Sequence, residues 1–273
     1  MGPLCHIGTT CPTKNHTVTM QGHILGSGTG IPSLTRNAAG YYLEAGGEQL
    51  LIDCGSATLL QLERVGKSFR DLDALFITHV HPDHIGDLIP LIHAMRLPGL
   101  NRVKPFTVHG PPGFAEFFAR YIVPVVEPPA AFPWQVVEVP PEWTRNDLVI
   151  KSFSTPHSSR FQSRAYRFEC QGASVVFSGD TDDHPELPAF CREADLLFLE
   201  CSTLDAGKVD GHLSAGLCGR LARQAGVKRL ILTHFYPIDG PDSLFLDECR
   251  RHFTGPVSLA CDLDPFTVTP APP

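Results

Sequence analysis

The stretch Thr78-His79-Val80-His81-Pro82-Asp83-His84 directly follows a strand-like, apolar run of the chain. It places three imidazoles and one carboxylate within six consecutive positions. Side chains alternate along an extended backbone, so His79 and His81 point to the same side and can bind one ion. Asp83 and His84 turn into the next helix, from which they can reach a second ion. Because imidazole nitrogen and carboxylate oxygen are ligands that zinc prefers, this strand end is predicted to carry a metal site.

Three later polar residues share this setting, since each follows an apolar, strand-like run. They are His157, Asp180 and His234. A single histidine or aspartate at a strand end is more often a cap or turn residue than a ligand. Together with the first motif, however, they supply seven donors, which are enough for two adjacent ions with open positions for water or substrate.

The length and composition are those of an ordinary globular protein. The chain has 273 residues, of which 42% are hydrophobic and 19% are charged. We expect one domain over residues 18–273, preceded by a flexible extension at 1–17 in which Gly, Pro and Thr dominate. The net charge of −7 argues against an electrostatic grip on long nucleic acid, although it does not exclude a short nucleotide at a cationic metal site.

The nine cysteines are odd in number, widely spread and free of any C-x-x-C pair. This pattern indicates neither a disulfide framework nor a structural zinc knuckle, and reduced thiols in the cytoplasm fit it best. No apolar run is long enough to span a bilayer, and residues 1–17 lack the apolar core of a signal peptide. We therefore expect a cytoplasmic protein that does not associate with membranes.

Strand-like and helix-like segments alternate along the chain. Strands are predicted at 18–25, 41–44, 49–53, 72–77, 105–109, 136–139, 148–154, 164–169, 174–178, 196–200, 229–232 and 257–259. Helices are predicted from Ser56 as N-cap to 65, from Pro82 or Asp83 to 95, and at 111–121, 214–224 and 243–252. The early strands form a meander and the later ones alternate with helices, which two sheets with helices on their outer faces would satisfy.

The order of the donor residues resembles the metallo-β-lactamase superfamily. That family shows H-x-H-x-D-H, then a lone histidine, then an aspartate and a final histidine, as this chain does between His79 and His234. The resemblance implies an α/β (α+β) fold, a four-layer αββα sandwich with a dinuclear metal centre along one edge of its sheets. It also implies a ligand set: His79, His81 and His157 for the first ion, Asp83, His84 and His234 for the second, and Asp180 as the bridge.

Further motifs are similar to those of the tRNase Z and small-phosphodiesterase branch. They are residues 26–32 with Arg36-Asn37, then Leu199-Glu200-Cys201-Ser202 and Gly211-His212-Leu213-Ser214. In that branch an extra histidine lies beside the metals. The segment between His157 and Asp180 is short and leaves no room for the protruding arm that grips tRNA in tRNase Z. A smaller phosphodiester is therefore favoured as the substrate.

These residues predict a hydrolytic mechanism. Two divalent ions, zinc first with manganese or iron as alternatives, lower the pKa of a shared water and stabilise charge in the transition state. Asp83 can orient that water as well as bind metal. His212 is the candidate proton donor for a leaving alkoxide, with Glu200 as its orienting partner. The alternative is that His212 only caps the helix that begins near Ser214.

The first hypothesis for function is a dinuclear-metal phosphodiesterase that acts on small or cyclic phosphodiesters. A tRNase Z-like endoribonuclease, a lactonase and a β-lactamase stay open, although the lack of a secretion signal counts against the last. The persulfide dioxygenase branch resembles this motif but uses a single iron, whereas the second-site residues here favour two ions. The intact ligand set also disfavours a non-catalytic binding module.

Partners follow from the same residues. We expect a small-molecule or nucleotide phosphodiester as substrate and long nucleic acid as an unlikely partner, and a homodimer stays open. Arg160, Arg164 and Arg167 follow His157 closely, and we expect them to form a solvated surface rather than a substrate clamp. Tyr236 either lines the pocket or packs against the sheet.

Overall fold

Two β-sheets form the centre of the structure, a computed structural model that describes residues 20–97 and 99–270. The predicted extension at 1–17 lies outside these residues. The described strands are, in chain order, Met20–Gly26 (β1), Gly40–Ala45 (β2), Glu48–Ile52 (β3), Ala74–Phe76 (β4), Phe106–Gly110 (β5), Trp134–Glu138 (β6), Glu142–Arg145 (β7), Leu148–Ser154 (β8), Arg164–Cys170 (β9), Ala173–Phe177 (β10), Leu196–Glu200 (β11), Leu230–Thr233 (β12), Val257–Leu259 (β13) and Pro265–Val268 (β14).

The two seven-stranded sheets share one pairing pattern. Their orders are β14-β1-β2-β3-β4-β5-β6 and β13-β12-β11-β10-β9-β8-β7. In the first sheet, pairs from β14 to β3 are antiparallel and pairs from β3 to β6 are parallel. In the second, pairs from β7 to β10 are antiparallel and pairs from β10 to β13 are parallel. Parallel neighbours end on the same side of a sheet, which is where α/β proteins bind ligands.

Helices accompany the parallel halves of both sheets. They are Thr58–Arg64 (α1), Pro82–Ile85 (α2), Leu88–Arg96 (α3), Phe114–Phe117 (α4), Leu187–Phe190 (α5), Ala215–Ala225 (α6) and Ser243–Arg250 (α7). A π-helical turn, Phe118–Ile122, continues α4, and a 3-10 turn spans Asp205–Gly207. None of the helices within the described ranges is both long and apolar enough to cross a bilayer.

Alternation along the strands separates two cores. In β3, Leu50 and Ile52 face the core between the sheets, whereas Leu51 belongs to the core beneath α1 and α3. On the other side of the molecule, Leu221 of α6 and Phe245 of α7 pack with the second sheet. The layers are therefore helices, sheet, sheet and helices, which confirms the predicted αββα sandwich.

Two strands escaped the sequence prediction, β7 and β14. Both lie at the outer edge of a sheet, and both follow or begin with proline, which suits an edge position because it donates no backbone hydrogen bond. Alternate residues of each strand are exposed, so neither shows a strong apolar run. The predicted strands at 148–154, 196–200 and 257–259 match β8, β11 and β13 to the residue.

The predicted helix starts near the metal motif need correction. The single helix predicted from Pro82 or Asp83 onward is divided into α2 and α3. Ser56 is not the N-cap of α1, because that position is taken by Ala57. The carboxylate of Asp87, between the two helices, accepts the N–H groups of Ala57 at 3.2 Å and Leu59 at 2.9 Å. A distant aspartate thus replaces the local serine cap.

The described cysteines contain no disulfide. Seven of them are free thiols, six buried and one, Cys261, exposed. For these seven residues, this agrees with the predicted absence of a disulfide framework. The cytoplasmic location stays a prediction.

Candidate metal centre

Strand ends bring the sequence-predicted donors together. His79 and His81 follow β4, His157 follows β8, Asp180 follows β10 and His234 follows β12. Asp83 and His84 lie in the short helix α2. The structure thus places all seven side chains along one edge of the sandwich, where they form two groups that meet at Asp180.

The turn before Asp180 depends on a glycine. Gly179 has φ of 57°, in the left-handed region that glycine adopts without strain. A Cβ atom at this position would lie 2.8 Å from Cβ of Thr78, which is closer than two carbon side-chain atoms normally approach. The turn that follows β10 can therefore pack directly against Thr78, at the start of the first histidine motif.

The first group consists of three histidines and one carboxylate oxygen. Nδ1 of His81 lies 3.0 Å from Nε2 of His79 and 3.0 Å from Nε2 of His157. Oδ2 of Asp180 is 3.6 Å from Nε2 of both His79 and His157. Donors that surround one ion at about 2.0–2.2 Å lie roughly 3.0–3.6 Å apart, so this spacing suits a tetrahedral cation.

The second group lies on the other side of Asp180. Oδ1 of Asp180 is 3.3 Å from Nε2 of His84 and 3.3 Å from Nε2 of His234. The two imidazole nitrogens are 3.4 Å apart, and Oδ2 of Asp83 lies 3.4 Å from Nε2 of His234. One carboxylate therefore presents one oxygen to each group of imidazoles.

Asp180 itself indicates what the groups can hold. Its Oδ1 atom is buried and accepts no hydrogen bond from the part of the chain that the structure describes. A buried carboxylate oxygen without a partner is costly, and imidazole nitrogens rarely face one another without a shared ligand. The donor set therefore fits divalent cations.

Second partners fix the orientation of four of the histidines. In each case Nδ1, the ring nitrogen that faces away from the cluster, meets an oxygen, as is usual for metal-binding histidines. The pairs are His84 with Oδ2 of Asp53 at 2.7 Å, His157 with the Gly211 carbonyl at 2.8 Å, His79 with Oγ1 of Thr78 at 3.0 Å and His234 with Oγ of Ser202 at 3.2 Å.

Asp53 is a residue that the sequence analysis missed. Its carboxylate accepts the backbone N–H of Thr78 at 2.7 Å, the hydroxyl of Thr78 at 2.8 Å and Nδ1–H of His84 at 2.7 Å. It follows β3 directly, as Asp180 nearly follows β10. The rule that selects polar residues at strand ends would have found it.

Charge within the cluster keeps the carboxylates ionised. Burial raises the pKa of Asp83, but the hydrogen bond from His234 and the charges of His84 and His234 bring it down to about 2. For Asp180, burial also acts upward, and the surrounding histidines outweigh it and lower the pKa well below its usual range. Burial next to other imidazoles lowers the pKa of His79 well below its usual value. Anionic oxygens and a neutral imidazole are the forms that bind metal.

His212 lies beside both groups. Its ring is 4.8 Å from that of His157 and 5.5 Å from that of His234. Its Nδ1–H donates to Oε1 of the buried Glu200 at 2.9 Å. Burial lowers the pKa of His212, but the hydrogen bond and charge of Glu200 outweigh burial and raise it. Glu200 therefore stabilises the imidazolium form of His212 relative to that of a free imidazole.

His212 is not the cap of the following helix. The helix α6 begins at Ala215, and the Gly216 N–H donates to Oδ1 of Asp205 at 3.0 Å. The hydroxyl of Tyr236 lies 3.2 Å from Nε2 of His212, so Tyr236 lines the site. Both nitrogens of His212 thus have neighbours within the site.

Comparison with known proteins identifies the family to which this chain belongs. A family described as "Beta-lactamase superfamily domain" matches residues 48–235. Ribonuclease Z of Mycobacterium avium is 28% identical over 267 residues, which cover 88% of this chain and 95% of that protein. Ribonuclease Z of Clostridium tetani is 27% identical and covers 80% of this chain and 89% of its own length.

Two solved structures agree with these sequence matches. The metallo-beta-lactamase fold protein YhfI from Bacillus subtilis has a TM-score of 0.80 at 27% identity, covering 91% of this chain and 99% of that one. The short form of human tRNase Z has a TM-score of 0.73 at 25% identity, covering 90% and 98%. The predicted metallo-β-lactamase fold is confirmed.

The same relatives overturn one expectation. Long nucleic acid was expected to be an unlikely partner, but relatives that match most of this chain are named Ribonuclease Z and tRNase Z. That expectation rested on the short segment between His157 and Asp180 and on the net charge of −7. A whole-chain charge does not report the local field at a site, to which nearby arginines and bound cations contribute.

Proposed function

This chain belongs to the beta-lactamase superfamily and is a metal-dependent hydrolase, and we propose that it is an endoribonuclease of ribonuclease Z type. The observation that carries the proposal is the position of Asp180 between two groups of imidazoles, with one oxygen facing each group. Such an arrangement suits two-ion hydrolysis of a phosphodiester.

We assign His79, His81 and His157 to the first ion, Asp83, His84 and His234 to the second, and Asp180 to both. Zinc suits the nitrogen and oxygen donors best, with manganese or iron as alternatives. When bound, two such ions supply activation of water near neutral pH and stabilise negative charge on the phosphate. The ordered Nδ1 partners keep four of the five imidazoles ready for this role.

Asp83 acts on the nucleophile in this proposal. Its Oδ2 atom faces His234 at 3.4 Å, and its side chain keeps a small exposed fraction, 15%. Its second oxygen can orient a water molecule by accepting a hydrogen bond from it. Because the pKa of Asp83 is about 2, the carboxylate is ionised at neutral pH and can take part.

His212 acts on the leaving group. Glu200 holds Nδ1, so that Nε2–H is the proton available to the oxygen that leaves. Glu200 also favours the protonated ring, since its hydrogen bond and charge raise the pKa of His212. An alkoxide is a poor leaving group without a proton, so this donor matters most for natural phosphodiesters.

A small or cyclic phosphodiester is the second candidate substrate, and one feature of the fold favours it. The strands β8 and β9 pair without interruption from Leu148 with Cys170 to Ser154 with Arg164, and only residues 155–163 connect them. The chain between His157 and Asp180 therefore forms a short loop and the two strands β9 and β10 joined by a tight turn, with no arm inserted among these residues to hold a large RNA.

The deciding experiment compares two substrates on the zinc-loaded protein. A tRNA precursor transcript and cyclic nucleotides are incubated separately, with Asp180→Ala as the inactive control. We expect endonucleolytic cleavage of the transcript that Asp180→Ala abolishes. Hydrolysis of cyclic nucleotides with an intact transcript would instead establish the second candidate.

A further inference from the structure

A groove of about 770 Å³ opens beside the first group of the metal centre. One wall is formed by α4 and the π-helical turn that continues it, and the other by residues 158–162, directly after His157. Val80, between His79 and His81, is one of its lining residues. The groove therefore lies next to the proposed catalytic site.

Aromatic rings line both walls. Tyr121 is 53% exposed, and its ring lies 5.2 Å from that of Phe117, with the guanidinium of Arg120 over it at 5.4 Å. On the opposite wall, the ring of Phe161 lies 4.7 Å from that of His81 and 5.7 Å from that of His79. Exposed and half-buried rings along a groove form a surface on which planar groups can stack. A π-helical turn is rare and occurs often at functional sites.

The charged residues of the groove favour an anion. Arg120 and Arg160 are exposed and form no ion pair with any residue in 20–97 or 99–270. Glu116 is the one acidic residue in the lining. Arg160 was expected to be only solvated, yet it borders the same groove as the aromatic rings. Arginine recognises phosphate well, because its planar guanidinium presents several N–H donors.

We propose that this groove binds one nucleotide next to the scissile phosphate of a single-stranded RNA segment. The base stacks on Tyr121, with Phe161 at the inner end of the groove, and Arg120 and Arg160 contact the neighbouring phosphate. This inference rests on the proposed function, since it names the part of the RNA that the site would read. Stacking tolerates any base, so the groove would supply affinity rather than sequence preference.

Isothermal titration calorimetry on the zinc-loaded full chain tests the groove. The probes are adenosine 5′- and 3′-monophosphate and, as a ligand without a base, ribose 5-phosphate. We expect at least one adenosine monophosphate to bind about tenfold more tightly than ribose 5-phosphate, the effect of about one stacked base. Tyr121→Ala should remove that difference, whereas Tyr121→Phe should retain it. Arg120→Ala should weaken both classes of ligand, and Arg223→Ala, an exposed arginine on α6, serves as the matched control.

The outcomes separate this inference from the proposed function. Equal affinities for the nucleotides and ribose 5-phosphate would refute the proposed nucleotide site, even if the protein cleaves RNA. A difference in affinity that survives in Tyr121→Ala would refute it as well. If Arg120→Ala bound the nucleotides and ribose 5-phosphate as tightly as the parent, the proposed contact between Arg120 and the phosphate would be refuted. A base-dependent affinity that Tyr121→Ala abolishes, in a protein that leaves RNA intact, would support the groove and refute the proposed function.

Discussion

Glu200 links the metal centre to the candidate proton donor. Its Oε1 atom accepts Nδ1–H of His212 at 2.9 Å, and its Oε2 atom accepts the hydroxyl of Ser202 at 3.0 Å. The same hydroxyl lies 3.2 Å from Nδ1 of His234. One buried carboxylate thus orients His212 directly and His234 through Ser202, which fixes both rings before a substrate arrives.

The role of His212 can be tested by substitution. His212→Ala should leave the metal content intact, because its nitrogen is not among the assigned ligands. Hydrolysis of an alkyl phosphodiester should slow by about 10²–10⁴, the usual contribution of a general acid. Bis-p-nitrophenyl phosphate, whose leaving group needs little protonation, should be affected far less. Steady-state rates on both esters, with metal content measured in parallel, provide the comparison.

His93→Ala is the control, since His93 is exposed on α3 and is not among the assigned ligands. Equal slowing of both esters by His212→Ala would show that this residue does not act as the proton donor.

Asp53 should matter for metal affinity although it touches no ion in our assignment. Asp53→Ala removes the partner of Nδ1 of His84 and leaves the backbone N–H of Thr78 without its acceptor. Loss of such a partner typically lowers metal affinity by about 10–100-fold. Competition with a chromophoric chelator measures the zinc affinity, and Asp71→Ala, an exposed aspartate, is the matched control. An unchanged affinity would refute the orienting role.

Single residues differ in how far the sequence reveals them. The seven donors could be selected because each follows an apolar run, and such a run can be recognised in the sequence alone. The contacts of Asp53 with Thr78 and of Ser202 with His234 join segments 25 and 32 positions apart. Such hydrogen bonds depend on the pairing of strands, which a single sequence does not state.

The strands position the site by their shared direction. Strands β4, β10 and β12 each have a parallel neighbour, and each leads to donors at its carboxyl end. His157 reaches the same edge from the antiparallel strand β8. The central strands carried apolar runs that the sequence analysis detected, whereas the edge strands β7 and β14 are half exposed and carried none.

Strand β5 contains a buried histidine that should make the fold sensitive to acid. His109 is 6% exposed, stacks on Phe76 at 4.5 Å, and neither ring nitrogen has a hydrogen-bond partner among the described residues. Burial lowers its pKa from 6.5 to about 4, with a smaller contribution from the charge of Arg145. Below pH 6.5 the unfolded chain therefore binds a proton at His109 that the folded chain does not bind. As the pH is lowered, the stability of the fold decreases until the pH reaches about 4.

His109→Phe should remove this part of the acid sensitivity. At pH 7 the variant should be at least as stable as the parent, because the phenyl ring leaves no unpaired nitrogen. Between pH 7 and pH 4 the parent should lose roughly 3 kcal/mol more than the variant. Urea unfolding at both pH values measures the difference. Parallel loss of stability in the two proteins would show that His109 is not held neutral.

At the scale of the whole molecule, the fold could be predicted from the sequence more readily than the substrate. The fold follows from the order of strands, helices and donors, which is spread over the sequence and confirmed by the two sheets. The substrate depends on local surfaces, such as the groove beside Phe161, which bring together residues from distant segments. The net charge of −7 averages over these surfaces and led to a wrong expectation about long nucleic acid.

Zinc-edge anomalous diffraction from crystals grown with excess zinc tests the ligand assignment most directly. We expect two peaks per chain, one among His79, His81 and His157 and one among Asp83, His84 and His234. Both should lie about 2.0–2.2 Å from their donors, with Asp180 in contact with each. A single peak, or peaks away from these side chains, would contradict the two-ion centre on which the proposed hydrolysis depends.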